Sequence, residues 1–325
     1  MIHSRHEETG KSEEQPARQK WPWWKKLVVG CLSAIILWGI ADWGYSAVVG
    51  NNIRRWEDSV ERNDRGILKG CEAYSIGNEK SQTTFLLVHG INDSPHVYRR
   101  VAPYLAEQGC HCRCMLVKGF GESVAAYGKA DIADWLASVD KEIENLKKSG
   151  KKIVLVGHSL GGAISIRYVT THQDSVDALV LAAPAVDVSS ARSPLLPVQY
   201  WHAFLSSILV FTDTTQSPFG IDVLDPNEKE SELRTPFTPI KVIDQTFELV
   251  RLNRQSAGKI SLPVLMCLAA KDKVVDNEAA KDFFKRLPSP QKKLVVLENS
   301  AHALLFDYQW QDFAEHVAAF GKKIK

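Results

Sequence analysis

Residues 151–172 read KKIVLVGHSLGGAISIRYVTTH. Ile153 to Val156 form a short apolar run without alternation, the pattern of a strand buried on both faces. From Leu160 onward the apolar spacing becomes helical. Between the two lies Gly157-His158-Ser159-Leu160-Gly161-Gly162. A serine in a sharp strand-to-helix turn needs small neighbours two residues before and two after it. Gly157 and Gly161 occupy those places. Such a turn lifts the hydroxyl clear of the sheet and beside the unpaired N–H groups of a helix start. A glycine-rich nucleotide-binding turn is the rival reading. The dinucleotide pattern G-x-G-x-x-G is absent, and this strand comes late in the order.

The pattern repeats outward from this stretch. TTFLLVHG (83–90), CHCRCMLV (110–117), VDALVLAAPA (176–185), LPVLMCLAAKD (262–272) and KKLVVLENS (292–300) read as further strands. Helical segments lie between and after them: SPHVYRRVAPYLAEQG (94–109), DIADWLASVDKEIENLKKSG (131–150), NEAAKDFFKRLP (277–288) and ALLFDYQWQDFAEHVAAFGKK (303–323). The expectation is an α/β fold: a mostly parallel central sheet with helices on both faces. Between about 186 and 260 the alternation stops. That insert is too long for a bare loop, and a small helical cap over the carboxyl edge of the sheet is predicted.

A serine hydroxyl needs a base to take its proton. Of ten histidines, His302 stands after the last strand and before the last helix, on the same sheet edge as Ser159. Asp272 ends the preceding strand, and Asp276 is its rival four residues on; Asp272 is favoured as nearer the strand end. The order serine, acid, histidine is the one hydrolases of this architecture follow. An oxyanion formed at Ser159 needs two donors. The N–H of Leu160 supplies one and that of Ile91 the other, with Gly90 allowing close approach. His89 is assigned a structural place under that loop.

The chain has 325 residues, 45% of them hydrophobic, and a formal net charge of +2. That balance gives no footprint for nucleic acid. Residues 1–26 are polar and mixed in charge and are predicted to be a disordered tail. Residues 27–50 are apolar apart from Asp42, with Trp21, Trp23 and Trp24 at one end and Trp38, Trp43 and Tyr45 toward the other. Aromatic rings at both ends suit the two headgroup zones of a bilayer, so 27–50 is predicted to be a transmembrane anchor and 51–325 the catalytic domain. Tyr45-Ser46-Ala47 makes a poor signal-peptide cleavage site. Lys25 and Lys26 favour the N-terminus in the cytosol, which puts the domain outside, in a bacterium the periplasm. Arg54, Arg55, Arg62 and Arg65 pull the other way.

Six cysteines are present. Cys110, Cys112 and Cys114 share one face of a strand, a disulfide involving Cys71 is open if the domain is exported, and no fourth ligand at a familiar spacing completes a zinc site. No H-E-x-x-H or carboxylate–histidine cluster occurs. Neither a metal nor another cofactor is expected.

LLVHGI (86–91), GFGES (119–123), GHSLGG (157–162), AAKDKVVD (269–276) and NSAH (299–302) together resemble the α/β-hydrolase superfamily over roughly residues 70–325. Within it they most resemble the monoacylglycerol lipases, lysophospholipases and serine carboxylesterases. The resemblance implies Ser159 as nucleophile, Asp272 as acid, His302 as base and Ile91 and Leu160 as the oxyanion hole. The family's D-x-x-G-x-G-x-S loop departs here, because Val117-Lys118-Gly119-Phe120-Gly121-Glu122-Ser123 lacks the leading Asp. The expected reaction is hydrolysis of a lipidic carboxylic ester. The apolar cap stretch with Leu195, Leu196, Tyr200, Trp201, Phe204 and Leu205 either lines an acyl tunnel, dips into lipid or forms the cap's own core; Tyr200, Trp201 and Phe204 are the candidate substrate contacts. Thioester, amide or small-ester hydrolysis on the same triad, and an inactive scaffold at the membrane, are the alternatives. Oligomeric state is not legible.

Overall fold

The computed structural model describes residues 21–191, 193, 198–217, 220–229 and 233–324. Most of the expected tail, and Leu195 and Leu196, lie outside these. The chain opens with α1 (Trp23–Ser59), then runs β1 (Tyr74–Gly77), β2 (Thr83–Val88), α2 (Val101–Glu107), β3 (His111–Met115), a single turn α3 (Val124–Tyr127), α4 (Ile132–Lys147), β4 (Lys152–His158), α5 (Leu160–Thr171) and β5 (Ala178–Ala182). The insert carries α6 (Val198–Ile208), β6 (Thr214–Gln216) and β7 (Phe237–Pro239). The chain closes with α7 (Ile240–Asn253), β8 (Val264–Ala269), α8 (Asn277–Lys285), β9 (Lys292–Leu297) and α9 (Trp310–Gly321).

Seven strands form one sheet in the order β1-β3-β2-β4-β5-β8-β9. Only β1 runs antiparallel to its neighbour; the rest are parallel. The apolar runs β2, β4, β5 and β8 are buried nearly throughout, because helices cover both faces. The chain steps from β2 to β3 on one side and returns to lay β4 on the other. A crevice opens beyond the carboxyl ends at that switch. Val88 pairs with Gly157, so the loop carrying Ile91 and the turn carrying Ser159 leave the sheet level with each other.

Four elements differ from their sequence expectation. Residues 94–109 form a 3-10 turn, Pro95–Tyr98, before α2 begins; the Ser94 hydroxyl accepts the His96 N–H, as a cap should, but the helix restarts. Residues 303–309 are not helical. Their turns are held by Asp307, whose carboxylate is fully buried and accepts the N–H groups of Leu224, Asp225, Ala301 and Tyr308 at 2.7–3.1 Å. The insert contains the two-stranded β6–β7 ribbon as well as α6, and α7 does not belong to it. Val242, Leu249 and Val250 join the main core, and the Asn253 amide donates to the Ala163 carbonyl of α5 at 2.7 Å.

The fourth difference is α1, which starts before the expected anchor and runs nine residues past its end. Its 37 residues make a rod about 55 Å long at ~1.5 Å per residue. The helix does not stop where the apolar run stops, since Ile53 and Trp56 continue a stripe that docks on the domain with Val49, Val124 and Phe237. Trp56 meets Phe237 edge-on at 5.8 Å, and the Glu57 carboxylate accepts the Val124 N–H at 2.8 Å. The N-terminal half is exposed and apolar, and by length and composition it is long enough to cross a membrane.

Asp307 ties the loop before α9 to the end of the insert. Replacing it with Ala strands four N–H groups, that of Ala301 buried and the others partly so. Asp307→Ala is expected to lower unfolding free energy by about 3 kcal/mol or more, measured by denaturant titration in detergent, and Asp307→Asn by less.

Candidate active site

Ser159 sits at φ 54°, ψ −119°, a left-handed conformation that a residue with a Cβ adopts only when its surroundings enforce it. Three backbone bonds do so. The Ser159 N–H donates to the Ala182 carbonyl at 3.0 Å, and its own carbonyl accepts the N–H groups of Ala163 and Ala185 at 3.1 and 3.0 Å. The turn also demands its glycines. A Cβ on Gly157 would run into the Gly161 carbonyl, and one on Gly161 into the carbonyl of Val88.

The three expected catalytic residues come together. His302 Nε2 lies 2.8 Å from Ser159 Oγ, and His302 Nδ1 lies 2.8 Å from Asp272 Oδ2. The other Asp272 oxygen accepts the N–H groups of Val274 and Val275 at 2.7 and 2.9 Å. With the acid holding the Nδ1 proton, Nε2 is left to accept from the serine. Asp276 is committed elsewhere: it caps α8, accepting the N–H groups of Glu278 and Ala279.

Electrostatics follow from burial and neighbours. Burial pushes the Asp272 carboxyl up, but the His302 charge and hydrogen bond and the Val275 and Val274 N–H groups outweigh it and hold it below its ordinary value. Burial pushes His302 down, but Asp272, with Asp222 and Asp93 behind it, leaves it above its ordinary value. His158, inside the serine turn, is pushed down to about 4 by burial and by His302. It stays neutral at working pH. Its Nε2–H donates to the His302 carbonyl at 3.0 Å, tying the serine turn to the base loop.

The N–H groups of Leu160, first residue of α5, and of Ile91 have no acceptor among the described residues. The loop after β2 is fixed from below. The Val117 N–H donates to His89 Nε2 at 3.1 Å, so His89 Nδ1–H donates to the Gly90 carbonyl at 3.0 Å. Asn92, at φ 62°, donates its N–H to the Tyr127 hydroxyl at 3.3 Å.

A cavity of about 410 Å³ opens on Ser159 and His302. Ile91, Val198, Ile221, Ile243, Val274 and Phe306 give it apolar walls, while Asn92, Asp93, Thr238 and Arg234 form a polar side. Arg234 Nε stands 3.6 Å from Asp93, and the Asn92 amide donates to the Thr238 hydroxyl at 2.7 Å. None of these polar residues carries a motif, and their approach through the insert left no local signal. Tyr200, Trp201 and Phe204 do not line this cavity. They lie on α6, where Tyr200 and Phe204 are exposed and Trp201 meets Phe204 edge-on. The direct substrate contact expected of them is corrected accordingly. An apolar stretch tells that a face must be covered, not by what.

A serine held in a strained turn, with a neutral imidazole poised to take its proton, is the working centre of a serine hydrolase of the α/β-hydrolase fold. Comparison with known proteins agrees. Residues 79–309 match the family model Hydrolase_4, described as serine aminopeptidase S33, and the chain belongs to that family. It is 27% identical over 257 residues to a thermostable monoacylglycerol lipase of Bacillus sp. strain H-257, covering 79% of this chain and 96% of that protein. It is 22% identical over 241 residues to a carboxylesterase of Bacillus subtilis strain 168, covering 74% and 92%. The crystal structure of the monoacylglycerol lipase of Paleococcus ferrophilus superposes with a TM-score of 0.66 at 21% identity, covering 78% and 98%. The enzyme class is thus a serine-type carboxylic ester hydrolase.

The two acids separate cleanly. Asp272→Asn is expected to lower kcat by about 10⁴-fold, whereas Asp276→Asn should leave kcat within about two-fold and Asp276→Ala should cost about 1 kcal/mol of stability; ester turnover and denaturation read both. The pH profile has a sign. Only neutral His302 accepts the proton, and its pKa is raised. Activity should therefore be full above that value and fall about ten-fold per pH unit below it, with the acid limb of kcat/KM lying above an ordinary histidine's ~6.5.

Proposed function

We propose that the protein is a membrane-anchored lipase that hydrolyses a single-chain lipid ester, of monoacylglycerol or lysophospholipid type, through an acyl-enzyme on Ser159. The observation that carries this reading is the continuous hydrogen-bonded path from Asp272 through His302 to Ser159, opening into a cavity with apolar walls. His302 takes the Ser159 proton as Oγ attacks the ester carbonyl. The N–H groups of Ile91 and Leu160 receive the oxyanion. His302⁺, stabilised by Asp272, returns the proton to the departing alcohol oxygen. Water then enters and gives a proton to His302 as its oxygen attacks the acyl carbon, and His302⁺ returns that proton to Ser159 Oγ as the acyl–oxygen bond breaks and the acid leaves.

The lipid character is supported by the apolar walls, by the polar side at Asn92, Asp93, Thr238 and Arg234, and by the monoacylglycerol lipase among the relatives. The anchor reading rests on the exposed apolar half of α1 and its tryptophans. Lys25 and Lys26 favour a catalytic domain on the outer side. A carboxylesterase for small esters is the second reading, favoured by the Bacillus subtilis relative.

The test uses purified full-length protein in detergent with a fluorophosphonate probe beside Ser159→Ala, then acyl glycerols of increasing chain length and a matched thioester. Labelling lost in the variant, with turnover rising toward long chains, is the expected result. Labelling with turnover only on acetyl and butyryl esters moves the assignment to the second reading. No labelling of folded wild type rejects the acyl-enzyme.

A further inference from the structure

Asp42 is the only charged residue between Lys26 and Arg54. A carboxylate at such a place in an apolar helix needs a reason. The structure supplies one outside the helix. Asp42 is buried, and its Oδ2 accepts the N–H groups of Val210 and Phe211 at 2.7 and 2.9 Å. Its Oδ1 accepts the Thr212 hydroxyl at 2.6 Å. The same face of α1 continues the contact one turn to either side. The Trp38 indole N–H donates to the Ile208 carbonyl at 2.9 Å, and the Ser46 hydroxyl to the Phe211 carbonyl at 2.7 Å. Further along, the Asn52 amide donates to the Gln216 side chain at 3.0 Å. These partners are the last residues of α6, the segment after it, and β6.

The segment so held is apolar and uncovered. Residues 203–211 read AFLSSILVF, without a charge. Phe204 and Phe211 are half exposed and Val210 is 80% exposed. Between this tip and α1 runs a groove of about 520 Å³ lined by Ile35, Trp38, Phe204, Ile208 and Val210, and by Asp42, whose oxygens are already bonded. The groove is continuous with the exposed apolar surface of α1. Hydrogen-bonded backbone and uncharged side chains are what hydrocarbon tolerates. On either side of the tip, Val198 and Thr215 line the cavity on Ser159.

We propose that the tip of the cap, Phe204 to Phe211, enters the lipid bilayer beside α1, and that Asp42 is the latch holding it at that depth. The proposal rests on the membrane-spanning reading of α1. It makes the anchor part of the substrate path: the element that crosses the bilayer also fixes the cap whose two ends border the catalytic cavity.

Two readouts test it in full-length protein reconstituted in phosphatidylethanolamine–phosphatidylglycerol vesicles. In a Cys31→Ser background, where the other five cysteines are buried, Val210→Cys carries an environment-sensitive fluorophore. Lipids brominated in their acyl chains should quench it, and Asp42→Ala should relieve that quenching. The second readout is the rate on monoacylglycerol in the vesicles divided by the rate on a water-soluble acetyl ester. Loss of three bonds to a carboxylate should lower this ratio about ten-fold or more in Asp42→Ala, with the soluble ester changed less than about two-fold. Val210→Glu, which keeps the latch, should lower the ratio as well. No quenching in wild type, or an unchanged ratio in both variants, overturns the proposal. Equal loss on both esters in Asp42→Ala assigns Asp42 a merely structural part and overturns the latch. If wild type cleaves neither ester, the hydrolase reading fails, and quenching alone decides whether the tip meets lipid.

Discussion

Everything at the catalytic centre depends on one unfavourable backbone conformation. Ser159 holds a positive φ that costs about 1–3 kcal/mol, and it does so because β5, the loop just after it and α5 each contribute a hydrogen bond to its peptide groups. The sheet must be in register for those bonds to exist. His158 pairs with Ala182, and the Ser159 N–H reaches the carbonyl of that same residue. The absent side chains of Gly157 and Gly161 then let the turn close against the end of β2. The strain is thus carried by the most deeply buried strands of the molecule, and the hydroxyl's direction is a property of the sheet rather than of a loop.

Around that fixed point four carboxylates gather about His302 and the residues beside it. Asp272 contacts the ring, Asp222 accepts the His302 N–H at 3.3 Å, Asp307 holds the preceding Ala301, and Asp93 faces His158 at 4.0 Å. Removing charge from water is expensive, and Asp272, Asp222 and Asp307 recover the loss through backbone N–H groups, while Asp93 faces the Arg234 side chain. The result is a negative environment that favours the imidazolium formed in the reaction. Among the described residues, Nε2 is hydrogen-bonded to Ser159 Oγ alone. His158 stays neutral beside it, so the base loop is held by a hydrogen bond that does not titrate with the base.

The sheet and the triad were legible because their signals are local. A buried parallel strand is a short apolar run, and the serine turn is a spacing of glycines around one residue. The choice between Asp272 and Asp276 was only half legible. Both follow β8, and what excludes Asp276 is its place at the start of α8, a helix whose first turn needs a cap. The non-helical 303–309 stretch was hidden because its cause, Asp307, acts on residues more than eighty positions away. The insert was the least legible. Its apolar aromatics announce a face to be covered, and α7, read as cap, is apolar for the different reason that it covers α5.

Asp42 is visible in the sequence only as an interruption of the apolar run predicted to be a transmembrane anchor, and nothing in the sequence distinguishes such an anchor from a loose tether. A tether leaves the catalytic domain free to tumble above the surface, with the cap's orientation averaged over all directions. Here the helix has no joint. It is unbroken from Trp23 to Ser59, and from Trp38 onward it is hydrogen-bonded to α6, the segment after it, β6 and the turn of α3, and packs on β7 through Trp56 and Phe237. A membrane-spanning segment built this way transmits its own tilt and depth to the cap directly. On the proposed spanning of α1, depth would be set by two things at once: the tryptophans at 21, 23 and 24, which would seek one headgroup zone, and a carboxylate whose hydrogen-bond partners, residues 210–212, all belong to the cap. If α1 spans the bilayer as proposed, the charge that shortens the apolar run is also the contact that would turn this face of the catalytic domain toward the lipid.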